Sequence, residues 1–161
     1  MEDIDLTPFC KTKAEAMDFS ARLSTIVSHI FQTSFDLEHE LSQELGIQKK
    51  DLFLFLLRDK NINPSAQSDL KDFLSKLQEI ALNMPVLSIS LAFEPKEDTL
   101  TFLSEWFLTN LHKQVLFDIV VDSNLIAGAA VSYQGKFLDF SIKPIFTRIL
   151  EESLSPTPVA K

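Results

Sequence analysis

The sequence predicts an α+β fold: an N-terminal helical bundle followed by a small α/β domain with the element order β-α-β-β-β-α. Three observations lead there. Before Pro85 the apolar residues recur at three- and four-residue steps, the period of a helix. After Pro85, Leu87, Ile89, Leu91 and Phe93 alternate with Ser88, Ser90 and Ala92, the period of a half-buried strand. Between Gln114 and Ile142, three apolar runs are separated by turn residues, and the last two meet at Gln134-Gly135. A Gly there supplies the positive φ of a tight hairpin without strain. The border near Pro85 divides the chain into a helical domain (1–85), an α/β domain (86–152) and a flexible tail (153–161).

Each element has a local cause. Thr12-Lys13-Ala14-Glu15 is a capping box, which starts a helix after an irregular lead-in. Ala16, Phe19, Leu23, Ile26 and Ile30 form its seam, and the phase continues through Leu37 and Leu41 to a stop at Gly46. The seam weakens at Thr33 and Ser34, which leaves open one long helix or two broken near Ser34-Phe35-Asp36. Leu52 to Leu57 are consecutive apolar residues flanked by Lys and Asp, read as helix. Asn61-Ile62-Asn63-Pro64 is a loop. Leu70, Phe73, Leu74, Leu77, Ile80 and Ala81 then share one helical stripe, which ends by Asn83-Met84-Pro85.

Past the first strand, Pro95 is placed at the start of a helix whose stripe is Leu100, Leu103, Phe107 and Leu111. Val115, Phe117, Ile119 and Val121 make the next strand, closed by Asp122-Ser123-Asn124. The hairpin register pairs Tyr133 with Lys136, Val131 with Leu138 and Ala129 with Phe140 on a largely apolar face. Ser132 with Phe137 and Ala130 with Asp139 fall on a mixed one. Ser141 caps a last helix carrying Ile142, Ile145, Phe146, Ile149 and Leu150.

Composition narrows the function classes. The net charge is 15 − 23 = −8, which argues against a dedicated nucleic-acid binder and gives no basic patch for an anionic membrane. No apolar run approaches the ~20 residues of a bilayer span, so no direct membrane insertion is expected. The acidic N-terminus lacks a signal-peptide layout, and a lone Cys10 makes no internal disulfide, so cytoplasmic residence is the default expectation. Gly46, Gly128 and Gly135 are scattered, which disfavours a phosphate-cradling loop and leaves no expected cofactor. His29, His39 and His112 lack metal-ligand spacing, and Cys10, near a mobile end, lacks a base. Asp122 and Asp139 read as turn or cap residues rather than catalytic acids. Of the 14 Phe, roughly four in five are assigned to the monomer core. Trp106, with Phe102 beside it, is the candidate for a partner surface, although a core role is at least as well supported.

From Val86 to Glu152 the chain resembles the C-terminal domain of the delta subunit of F-type ATP synthases, the family of the mitochondrial oligomycin-sensitivity-conferring protein. Asp122, Leu125, Ile126 and Gly128 match the family pattern Asp-Pro-x-Leu-Ile-Gly-Gly. Gly135 and Lys136 match its turn, Asp139 and Ser141 match the exit into the last helix, and Arg148 matches a late basic residue. Pro95, Glu97 and Asp98 match the strand-to-helix junction. Ser123 stands where Pro is usual, Ala127 replaces a Gly, Phe140 replaces another, and the N-terminal half is shorter than the family's six-helix bundle.

The resemblance implies a non-catalytic connector in the peripheral stalk, or stator. Its helical domain would grip the N-terminal segments of the alpha subunits, and its C-terminal domain the C-terminal helices of the b subunits. Residence at the cytoplasmic face of the energy-coupling membrane is implied with it. Phe102, Trp106 and Arg148 are the candidate partner-facing residues. A stand-alone regulatory or adaptor protein is the alternative, and an enzyme is a third class for which no acid–base pair can be nominated.

Overall fold

A computed structural model describes residues 4–125, 127–133 and 135–140. Helix α1 (Lys13–His29) starts on the expected capping box: the Thr12 hydroxyl accepts from Glu15 N at 3.2 Å, and the Glu15 carboxylate accepts from Thr12 N at 3.3 Å. Its buried seam is Ala16, Phe19, Leu23 and Ile26. The seam does not run on as one helix. The chain breaks after His29, and Asp36 caps α2 (Leu37–Asp59), its carboxylate accepting from Glu38 N at 3.0 Å.

Gly46 stops the helical conformation at φ 79° and ψ 163°, as its place in the sequence predicts, and a second helical segment of α2 follows across the kink. That region is essentially open to glycine alone. A Cβ at Gly46 would meet no atom within 4 Å, so the cost of Gly46→Ala is backbone strain. We expect a loss of about 1–3 kcal/mol in urea unfolding. After the kink, Phe53 and Leu57 turn inward at helical spacing while Leu52 and Phe55 stay exposed.

Helix α3 (Gln67–Asn83) buries Leu70, Phe73, Leu74, Leu77 and Ala81 against α1, in the core that Phe53 and Leu57 of α2 also enter. Strand β1 (Val86–Leu91), helix α4 (Glu97–Leu111) and strands β2 (Leu116–Val121), β3 (Ala129–Tyr133) and β4 (Lys136–Asp139) follow. The α+β layout, helices first and sheet second, agrees with the expectation; the last helix, the tail and the candidates Ile126, Ser141 and Arg148 lie outside the described residues. The first strand stops at Leu91, two residues short of Phe93, which is exposed. Pro95 lies before the N-cap Lys96 rather than inside the helix.

The sheet order is β2-β1-β3-β4, with β1–β2 parallel across α4 and the other pairs antiparallel. Within the hairpin Tyr133 faces Lys136, Val131 faces Leu138, Ser132 faces Phe137 and Ala130 faces Asp139, with Phe140 N donating to Ala129 O at 2.8 Å. That is the register of the sequence pattern.

The lead-in is irregular in backbone but it is not loose. Ile4, Leu6, Phe9 and Cys10 are buried in the helical core, which Leu116 of β2 also enters. The Gln114 amide clamps the lead-in at two points, accepting from Leu6 N and donating to Ile4 O, each at 2.9 Å. Lys11 O accepts from Phe117 N at 2.8 Å, and Thr12 forms a parallel bridge to Phe117. Cys10 therefore sits in the core, not at a mobile end.

Burial, reinforced by the nearby Glu15 charge, pushes the Cys10 thiol up from 9.0 to about 11. Between those values the unfolded chain loses its proton first, so the folded state binds more protons and stability falls as pH rises. The expected slope there is up to about 1.4 kcal/mol per pH unit. Comparison with Cys10→Ser isolates it: only the wild-type thiol contributes this loss, and iodoacetamide should label Cys10 slowly until the protein unfolds.

Candidate partner-binding surface

Helix α4 crosses from β1 to β2 and covers the apolar face of the sheet. Leu100, Leu103 and Phe107 pack onto Leu87, Ile89 and Phe117, and the Phe107 and Phe117 rings meet edge-on at 6.0 Å. Glu97 and Asp98 occupy its first turn, where the helix dipole favours negative charge. His112, at φ 50°, ends it in the left-handed conformation. Ser104 is buried on the inner side, and among the described residues its hydroxyl has no hydrogen-bond partner.

The outer side of α4 is different in kind. Phe102 is 65% exposed and Trp106 45% exposed, one helical turn apart. The Trp106 ring stands edge-on to Phe107 at 5.4 Å, so an inward neighbour steadies it. Asp98 precedes Phe102 by four residues and Glu105 follows it by three, which puts both carboxylates on the same side of the helix. Both are exposed. Leu111, assigned to the buried stripe by its spacing, is exposed near the end of α4.

The remaining candidates fall at the two ends of the sheet. Asp122 follows β2, and its N–H donates to Leu91 O at 2.8 Å, tying the β2 exit to the end of β1. Its carboxylate accepts from Asn124 N and from the Asn124 side-chain amide, both at 2.9 Å. Leu125 N donates back to Asp122 O at 3.1 Å, and Gly128 takes φ 95° just before β3. This connection leaves from the same end of the sheet as the β1–α4 junction. Gly135, at φ 78°, and Lys136 lie at the opposite end, with Asp139 further along β4. The described motif residues thus occupy structural turns and an edge strand, while Phe102 and Trp106 stand apart on α4.

Among the described residues no group of three or more His, Cys, Asp or Glu is placed to hold a metal ion. No helix among them is long and apolar enough to cross a membrane. A cleft of about 640 Å³ lies between the ends of α3 and α4 and the lead-in, lined by Ile4, Ile80, Met84, Pro85 and Leu108 with Lys76, Glu79 and His112 among them. The cleft is mainly apolar.

The expectation that about four in five Phe lie in the core is not met. Phe31, Phe55, Phe93, Phe102, Phe137 and Phe140 are all exposed. Phe31 and Phe93 lie in connections, Phe55 and Phe102 on outward helix faces, and Phe137 and Phe140 on or just after the edge strand β4, places where no second layer of the described residues covers them.

No family model matches the chain. Curated relatives do. The chain is 34% identical over 67 residues to a protein of Thermotoga petrophila and, equally, to one of Thermotoga maritima; the match spans 42% of this chain and 37% of each relative. A Thermotoga neapolitana protein is 35% identical over 66 residues, 41% of this chain and 36% of that one. These relatives are subunits of ATP synthase. All three are named subunit delta, and it is the delta subunit that this chain resembles. The chain spans little more than a third of the length of the curated relatives it matches. A chain in the Toxoplasma gondii mitochondrial ATP synthase hexamer aligns over 90% of this chain and 88% of its own, at 15% identity and a TM-score of 0.35. A score that low adds no weight.

Proposed function

We propose that this chain is a non-catalytic subunit of a proton-translocating F-type ATP synthase, a connector in the peripheral stalk. The observation that carries the reading is the likeness to subunit delta over 67 residues. Under this reading residues 1–85 take the N-terminal segments of the alpha subunits and residues 86–152 take the C-terminal helices of the b subunits. The protein would sit peripherally at the cytoplasmic face of the energy-coupling membrane. It resists torque and needs no cofactor.

The surface chemistry suits a connector. Such a part works through apolar contact area on a stable scaffold, and helix-in-groove docking uses exposed apolar stripes. Phe102 and Trp106 on α4 supply one, and Phe55 with Leu52 on α2 another. In this proposal Asp122, Leu125, Ile126, Gly128, Gly135, Lys136, Asp139 and Ser141 serve to shape turns and strands, and Arg148 joins Phe102 and Trp106 in facing a partner.

The test is recovery of the tagged protein from its own membranes with mass spectrometry of what it retains. Alpha and b chains are the expected companions. Retention of an unrelated protein in their place would sink the stalk reading and leave the adaptor reading standing.

A further inference from the structure

We propose that the outer face of α4 docks a basic amphipathic helix, one whose apolar stripe is flanked by Lys or Arg. The proposal deepens the connector reading and rests on it for the source of that helix, while the chemistry comes from α4 itself. Phe102 and Trp106 form an apolar ridge of about one turn, the unit that packs into the groove of a second helix. Asp98 and Glu105 flank that ridge. From Glu97 to Leu111, α4 carries three acidic residues and neither Lys nor Arg. Among the described residues Asp98 and Glu105 form no ion pair. The ridge is therefore edged by negative charge that no ion pair neutralises among the described residues.

That pattern selects among occupants. Phosphate-rich partners, nucleic acid or an anionic lipid surface, meet carboxylates and are repelled. An acidic helix is disfavoured in the same way. A helix with cations beside its apolar stripe gains both ring contact and charge pairing, and charge complementarity fixes its register and speeds its approach.

Trp106 is the single Trp of the chain, so its emission reports on this face directly. The probes are two synthetic 20-residue amphipathic helices with identical Leu stripes, one flanked by Lys and Arg and one by Glu. On titration into the full-length protein, the basic helix should shift Trp106 emission to the blue and saturate, with affinity at least about tenfold above that of the acidic helix. Glu105→Lys should remove most of that preference, and Phe102→Ala should weaken binding about tenfold. Asp98→Asn keeps a residue tolerated in a first helical turn and should also weaken basic-helix binding, which keeps the test decisive where Glu105→Lys disturbs folding. Asp72→Lys on α3 makes the same charge change elsewhere and should leave the preference intact.

Equal binding of the two helices, or an Asp72→Lys effect equal to that of Glu105→Lys, would overturn the proposal. So would emission that responds only after residues 141–161 are removed, because the chain's own C-terminal segment would then be the occupant. Membrane recovery with wild type and Glu105→Lys separates this outcome from the fate of the connector reading. If both retain the same synthase chains, the α4 strip is wrong and the connector stands. If wild type retains none while basic helices still bind through Glu105, the connector fails and the strip stands.

Discussion

Phe53→Ala should lower the free energy of unfolding by about 3–5 kcal/mol, the range for truncating a fully buried aromatic. Phe53 is completely buried on α2 past the Gly46 kink. Its ring meets Phe9 edge-on at 5.9 Å, and Phe9 stacks on Phe19 of α1 at 5.3 Å. Truncation would open a cavity at the point where the lead-in, α1 and α2 converge, and these elements are too constrained to collapse into it. Urea unfolding should show a lower midpoint with an unchanged slope. Phe55→Ala, two residues on and exposed, should stay within about 0.5 kcal/mol of wild type. Equal losses for the two variants would mean that α2 presents a different face to the core.

Phe117→Ala should cost a similar amount, about 3–5 kcal/mol, in the other core cluster. Phe117 is fully buried on β2, under α4. Its ring faces Phe107, which in turn faces Trp106, so the loss should also shift the fluorescence of the folded protein. The backbone bond to Lys11 does not need the side chain and should survive. A loss below about 1 kcal/mol with unchanged emission would show that α4 is not held on the sheet through this ring stack.

The hairpin was the most legible part of the fold because its evidence is local. Alternation on two arms agrees across one Gly, and a slip of one residue would send Val131 and Leu138 to the wrong face. The break between α1 and α2 was harder. Thr33 and Ser34 merely weaken a seam, whereas the deciding interaction is the Asp36 carboxylate on the amides of Glu38 and His39. The lead-in could not be read at all. Leu6, Phe9 and Cys10 have no useful period, and the group that fixes them, Gln114, stands 108 residues from Leu6. The α4 face was half legible: the spacing of Asp98, Phe102, Glu105 and Trp106 is in the sequence, but exposure depends on which side the sheet occupies.

The Gln114 clamp also orders events during synthesis. A ribosome releases the lead-in long before the residues that fasten it, since Ile4 is tied to a side chain 110 positions later. Helices α1 to α3 can form as they emerge, because their contacts are closer in sequence. Their shared interior stays open on one side until Gln114 to Phe117 leave the tunnel and close a long loop around it. The nascent helical half therefore spends most of its translation with Leu6 and Phe9 lacking their final anchor.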